Sequence, residues 1–362
     1  MGLRRGFGGH GGVGVENQAE TGDGEESRGK GIMNNRVLGV ILALALSGCA
    51  SGEKSDPKMP PPPPQVKPAP AYVAQAIDPE LRARAKQELL AETNESDPFL
   101  RCNAIEALSQ VDAADAPGPV LKGLGDADSP VRFAAAMAAG QIKLVDAYKP
   151  LRDMADDPDP RVRAGVRFAL HRLGDTRLSH DLERLAASTD PHVRGTVALV
   201  LGLLKEPTAT KMLGTLLADR APSVRIQAAE ALWRLGDRRG LDDLVAYAIS
   251  DYPDDQIIAL QALAEPGDQR VIQHIRAELT SDYTEVCLAA ARGVGMLGSD
   301  EGWSVAVPAA ASKDARQRSM AAIAMGAIGR SDLQGYLKNL LSDPEPTVRI
   351  SAAAAILQLR AP

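Results

Sequence analysis

Apolar residues follow two patterns along this chain. Between Val37 and Leu46 they form an unbroken run, VLGVILALAL. From about residue 78 onward they recur in a helical rhythm. In one stretch, small or apolar residues stand at spacings 0, 4, 7, 8 and 11 from Val193: Val197, Val200, Leu201 and Leu204. The same spacings from Val224 give Ala228, Ala231, Leu232 and Leu235. That is the period of an amphipathic helix, not the alternation of a strand. A further apolar residue lies 20 positions after the leading residue, at Leu151, Leu182, Leu213, Leu244, Ile275 and Leu337, and predicts a second helix.

The rhythm is itself repeated. Val-Arg pairs occur at Val131-Arg132, Val162-Arg163, Val193-Arg194 and Val224-Arg225, in steps of 31 residues. The pair returns at Val348-Arg349, four steps after Val224. The phase predicts degenerate copies at Asp255-Gln256, Val286-Cys287 and Gln317-Arg318, and a first copy at Leu100-Arg101. Asp-Pro turns (Asp97-Pro98, Asp157-Pro158, Asp190-Pro191, Asp343-Pro344) precede first helices, and Gly-Asp stops (Gly174-Asp175, Gly236-Asp237, Gly267-Asp268) follow them. Glycine is favoured there because it enters the left-handed conformation freely. One helix pair cannot bury its apolar face alone, so the units are expected to stack.

These residues closely resemble the HEAT-like repeats first recognised in phycobilin lyases, with the pattern D-x-x-x-VR-x-x-A-A-x-A-L-x-x-L-G-D. The resemblance covers roughly residues 78–362. It implies an all-α fold: a right-handed α-solenoid of about nine HEAT-like helix-turn-helix repeats of 31 residues. A charged helix from about Pro79 to Ala91 would cap its leading end. In such solenoids the second helices usually line the concave side, which implies an extended groove for a protein partner. The outward positions of those helices then become candidate partner-binding residues: Lys149, Arg152, His180, Lys211, Tyr247, His274, Arg276, Tyr336 and Lys338. Mixed basic and aromatic residues are of the kind that concentrates binding energy. Arg234 reads as a surface position of a first helix, on the opposite face.

Composition narrows the picture. Aromatic residues make up 3% of the chain while hydrophobic residues make up 44%, so the core must be aliphatic. The 41 basic and 47 acidic residues give a net charge of -6, without the basic excess that phosphate binding needs. No nucleic acid is expected as a partner.

The amino-terminal quarter predicts a route to a membrane. Residues 1–32 are rich in glycine and charge and too poor in apolar residues to order themselves. At 33–48, Met33 and Arg36 precede the apolar run, which is shorter than the ~20 residues needed to span a bilayer and suits a signal peptide. The run ends in Leu46-Ser47-Gly48-Cys49, which closely resembles the lipobox of bacterial lipoproteins and implies lipidation at Cys49. Such signals stand at the amino terminus, so translation is expected to start at Met33. Ala50, where an Asp would resemble an inner-membrane retention signal, leans towards the outer membrane, facing the periplasm. Residues 49–77, with five consecutive prolines at 60–64, read as a stiff polyproline II spacer. Residues 78–362 hold the repeats.

No catalytic constellation emerges. None of His10, His171, His180, His192 and His274 is followed by Glu, the pairing used by a di-iron hydroxylase built on such repeats. Bilin lyases act in the cytoplasm, which conflicts with the export signal. No metal or other cofactor is expected. The recurring arginines (Arg101, Arg132, Arg163, Arg194, Arg225, Arg318, Arg349), with Asp97, Asp128, Asp159, Asp190 and Asp314 just upstream, read as a ladder that caps helices and ties repeats together. Cys102 and Cys287 lie six units apart, on the order of 60 Å along an open stack of layers about 10 Å thick, too far to bridge. The expected function is an envelope scaffold that binds a protein along the groove. An accessory or chaperone subunit of an enzyme is the second expectation, and a cryptic enzyme the third.

Overall fold

The computed structural model describes residues 70–176 and 181–360. The expected signal peptide, the expected lipidation site at Cys49 and most of the expected proline-rich spacer lie outside the described residues. Helix α1 (Pro79–Glu92) comes first, followed by two alternating series. The first helices are α2 (Pro98–Val111), α4 (Ser129–Gln141), α6 (Pro160–Arg172), α8 (Pro191–Leu204), α10 (Pro222–Arg234), α12 (Pro253–Ala264), α14 (Thr284–Met296), α16 (Ala315–Ile328) and α18 (Pro346–Gln358). The shorter second helices are α3 (Pro117–Gly123), α5 (Tyr148–Asp153), α7 (Asp181–Ala186), α9 (Thr210–Leu216), α11 (Arg238–Ala248), α13 (Ile272–Ala277), α15 (Trp303–Ala309) and α17 (Gln334–Leu340). Among the described residues there is no strand, and no helix is long and apolar enough to cross a membrane. The chain is an α-solenoid, and all nine copies keep the phase read from the sequence.

Local chemistry sets the boundaries. The carboxylates of Asp97, Asp159, Asp190 and Asp314 accept the backbone N–H groups of Phe99, Arg161, His192 and Arg316, each at 2.8 Å, and so cap four first helices. At the other end a left-handed residue recurs every 31 positions: Lys143, Gly174, Lys205, Gly236, Gly267, Gly298 and Gly329. The chain then turns back to bond the last helical turn, as in Asp175 N–H to Leu170 O at 2.8 Å and Asp237 N–H to Leu232 O at 2.9 Å. Small residues let neighbouring first helices approach closely. A Cβ at Gly202 would stand 2.7 Å from the Ala231 Cα, and one at Gly326 would stand 2.9 Å from the Ala355 Cα.

The stack closes on itself. Helix α18 packs against both α1 and α2, and α1 lies between them as each second helix lies between its own first helix and the next. Leu81, Ala85 and Leu89 of α1 are buried. Arg349 of α18 bonds Glu88 and, at 2.8 Å, Glu92; Arg82 donates to Leu359 O at 2.8 Å. Upstream of α1, Tyr72 and the Gln75 N–H bond the Ser331 hydroxyl at 3.1 and 2.9 Å, and Arg330 donates to Pro70 O at 3.1 Å. The expected charged cap is thus the second helix of repeat nine. Of its charges, Glu88 pairs with Arg349, Arg82 with the Leu359 carbonyl and Lys86 with Asp112 and Asp115, while Glu80 and Arg84 stay exposed.

Closure corrects two further expectations. The Ala-rich first helices form the inner circuit, because their small side chains permit the closest spacing; the second helices touch one another sparsely and face outward. The expected groove lined by second helices is therefore not formed. The two cysteines lie three steps apart across the closure, not at opposite ends of an open stack. Both are free and buried. Burial pushes the Cys102 thiol up to about 12 and the Cys287 thiol up to about 11, so neither is a ready thiolate.

Candidate functional site

The recurring arginine builds one edge of the ring, at the amino-terminal ends of the first helices. Arg101 grips Asp126 at 3.0 and 2.8 Å, Arg132 grips Asp157 at 2.8 and 3.1 Å, Arg194 grips Asp219 at 2.6 and 2.7 Å, and Arg318 grips Asp343 at 2.7 and 2.8 Å. In each pair the acid lies 25 residues downstream, in the next repeat. The ladder expected from the sequence exists, but its main acids differ: Asp97, Asp159, Asp190 and Asp314 cap helices, and of the upstream set Asp128 receives a ladder arginine, Arg101, at 2.9 Å. The remaining guanidinium nitrogen donates to two backbone carbonyls, as Arg194 does to Ser188 and Thr189 at 2.8 and 3.1 Å. In these four pairs most donors are turned inward and little is left for an external anion; Arg163 instead has Ser188 where the next acid would stand, and donates to the Asp157 and Pro158 carbonyls at 2.6 and 3.3 Å.

The ladder carries a pH signature. The Arg194 guanidinium holds the Asp219 carboxyl below its ordinary value of 3.8, and Arg318 does the same to Asp343. These groups bind protons more weakly folded than unfolded, so unfolding takes up protons and stability falls as pH drops through and below 3.8. The expected loss is about 1–3 kcal/mol per bidentate pair. Urea unfolding from neutral pH to pH ~3 checks it, with Asp219→Asn and Asp343→Asn flattening the acid limb.

The ladder is interrupted in repeats six and seven. Gln256 and Cys287 replace the arginine, yet each still reaches the carbonyl six residues back: Gln256 Nε2 to Ser250 O at 2.7 Å and Cys287 Sγ to Ser281 O at 3.1 Å. The downstream acids are replaced in step, by Ser281 and Ser312. The residues that elsewhere cap the helices are here Tyr252 and Tyr283, exposed at 71% and 50%, with Ile249 nearby at 68%. Their surroundings repeat: Ser250-Asp251-Tyr252 and Ser281-Asp282-Tyr283. Sequence reading missed this pair. The available signal was tyrosine standing twice in succession where the repeat asks for a capping acid.

A second cluster lies inside the ring. Arg234 bonds Glu230 at 2.7 Å and Glu265 at 3.4 Å, and Arg292 bonds Glu265 at 3.4 Å. The negative charge of Glu106, from repeat one, also acts on Arg292. Burial raises the Glu265 carboxyl and lowers the Arg292 guanidinium from their ordinary values. Arg234, expected at the surface, is therefore an internal ion-pair partner. Its position ten residues after the repeat's leading residue faces the ring interior. Among the described residues no His, Cys, Asp and Glu side chains group so as to hold a metal ion.

The candidate residues on the second helices fall into two groups. Some are committed within the fold: Arg276 bonds Glu301 at 2.8 Å through its second nitrogen, Arg152 meets Asp175 at 3.4 Å, Lys149 meets Asp153 at 2.6 Å, and the Tyr247 hydroxyl accepts from Arg225 at 2.7 Å. Tyr247 thus serves the ladder in place of an acid. Lys211, His274, Tyr336 and Lys338 stay exposed on the outer wall. They are spread over several second helices and do not form one site. His180 lies outside the described residues.

Comparison with known proteins identifies the repeat family. No curated protein matches the sequence. Solved structures with a similar fold include the phycocyanin lyase CpcE–CpcF complex from Nostoc (22% identity, 67% of this chain and 97% of that chain, TM-score 0.42). They also include human deoxyhypusine hydroxylase in complex with glycerol (19% identity, 70% and 96%, TM-score 0.37) and an engineered protein (20% identity, 77% and 93%, TM-score 0.29). The family description "HEAT repeats" matches residues 86–171, 178–264 and 272–358, so the chain belongs to the HEAT-repeat proteins.

Proposed function

We propose that this chain is a membrane-anchored scaffold for protein–protein interaction in the bacterial envelope, with its docking surface on the edge of repeats six and seven. The observation that carries the reading is the interruption of the ladder. In two adjacent repeats the arginine and its downstream acid are both given up, and exposed tyrosines stand at the helix starts where most repeats have a capping acid. Tyrosine contributes large contact area at low entropic cost, and an exposed pair on a rigid helical edge suits a partner. Leu46-Ser47-Gly48-Cys49 supports the anchor, and the proline-rich stretch before residue 70 supports a stiff spacer between membrane and ring.

The test is crosslinking in intact cells, with the captured partner identified in the parent protein first. The double change Tyr252→Ser and Tyr283→Ser should reduce its capture by about tenfold or more, as loss of an aromatic hot spot implies. Lys211→Ala with His274→Ala on the outer wall should leave it intact. Cys49→Ser should abolish palmitate incorporation and release the protein from the membrane fraction. Undiminished capture by the tyrosine double variant would place docking elsewhere. Normal palmitate labelling of the Cys49 variant would remove the anchor.

A further inference from the structure

We propose that the edge of repeats six and seven receives a basic, extended segment of the partner, in polyproline II conformation with a cation at every third residue. This inference rests on the docking reading above and adds the chemistry of what docks. The two tyrosines sit among Asp251, Asp254, Asp255, Asp282 and Glu285. Asp254 meets Arg316 at 3.4 Å, and Glu285 accepts from Gln317 at 3.0 Å. Asp251 and Asp282, each directly before a tyrosine, are exposed and have no partner among the described residues. Arg220 and Lys313 occupy the same repeat position as Asp251 and Asp282 in the flanking repeats five and eight. The acidic stretch is thus two repeats wide.

An aromatic face beside a carboxylate favours a guanidinium or ammonium group. The ring attracts the cation, and the acid pairs with it. This chain already uses cations over rings, with Arg330 over the Tyr72 ring at 5.2 Å and Arg270 over the Trp233 ring at 5.8 Å. Spacing selects the conformation. Tyr252 and Tyr283 hold equivalent positions on neighbouring first helices, and packed helices lie about 8–10 Å apart. One turn of polyproline II covers about 9 Å in three residues and returns the side chain to the same face. In a β-extended segment, residues three apart would point to opposite faces.

Three synthetic peptides of about nine residues test this, titrated by fluorescence anisotropy at ~0.01 M and ~0.15 M salt. One repeats arginine followed by two prolines; one has the same composition with its arginines contiguous; one carries glutamate in place of arginine. The spaced basic peptide should bind most tightly, and the acidic one should not bind. Tyr252→Ser with Tyr283→Ser should weaken the spaced peptide by about tenfold or more. Asp251→Asn with Asp282→Asn should weaken it about three- to tenfold at the lower salt and less at the higher. All four positions are exposed, so the melting temperature serves as the folding control. Absence of binding by the spaced peptide, equal binding of the acidic peptide, or indifference to these variants overturns the proposal. Equal binding of the contiguous-arginine peptide overturns the spacing. If these peptides fail while the tyrosine variants still lose the cellular partner, the docking reading stands and this inference falls. If the peptides bind as expected while cellular capture survives those variants, the docking reading falls.

Discussion

Replacing Glu265 by alanine should lower the ring's stability by about 3–5 kcal/mol, because it takes from Arg292 its hydrogen-bonded acid and leaves Arg234 with Glu230 alone. Arg292 and Arg234 both reach Glu265, and all three are buried inside the ring. Removing one member of such a cluster leaves the desolvation of the others uncompensated, whereas replacing a buried pair with apolar residues of similar volume often costs little. The double change Glu265→Met with Arg292→Met should therefore be less destabilising than Glu265→Ala alone. Chemical unfolding at neutral pH measures both. A cost below ~1 kcal/mol for Glu265→Ala would mean that the cluster is hydrated and not held by these pairs.

The second large effect concerns the closing helix. Leu89→Ala should cost about 2–5 kcal/mol, the usual range for a leucine deletion that leaves a cavity. Leu89 is fully buried between α18 and α2, where α1 holds the place that second helices hold elsewhere in the array. Deleting residues 70–92 should go further, uncovering apolar surface on both flanking helices. The deletion variant should aggregate or unfold over a broad, multi-step transition, as unclosed repeat arrays lose cooperativity. A sharp transition with an unchanged midpoint would show that α1 does not hold the ring shut. Hydrogen exchange can localise the effect, since protection should fall first in α18 and α2.

The fold was legible because packing repeats. A leading residue such as Val193 or Val224 must meet the same neighbour in every unit, so its spacing survives in the chain even where Asp255 or Gln317 occupies the position. Closure was not legible. Nothing in the α1 sequence distinguishes Glu88 and Glu92 facing water from the same residues facing Arg349, since the contact joins segments more than 250 residues apart. The inner and outer walls were confused for a related reason. Arg276 looks available when read along one helix, but its acid, Glu301, becomes a partner only in three dimensions; the Lys149–Asp153 pair, four residues apart on one helix, was readable from its spacing alone. Arg234 and Glu265 stand ten residues after the leading position, where Gln110, Gln141, Arg172 and Gln358 are polar too, and that recurring polar position was the available sign of the interior cluster. The exposed edge was also written in the sequence, as a departure from the repeat and not as an instance of it.

The meeting of α18 with α1 makes this array indifferent to where the polypeptide starts. Pro70 accepts a hydrogen bond from Arg330, and the Arg360 N–H bonds Gly329 O at 3.0 Å, so the two limits of the described chain adjoin the same turn. A circular permutant that splices residue 360 to residue 70 through a short linker, and opens instead at the exposed turn around Glu206, keeps every helix-to-helix neighbour. Covalent order can therefore be changed without changing the ring. In the native order, whatever pulls on the segment before Pro70 pulls on the one seam where the circle is fastened by side chains and not by a peptide connection.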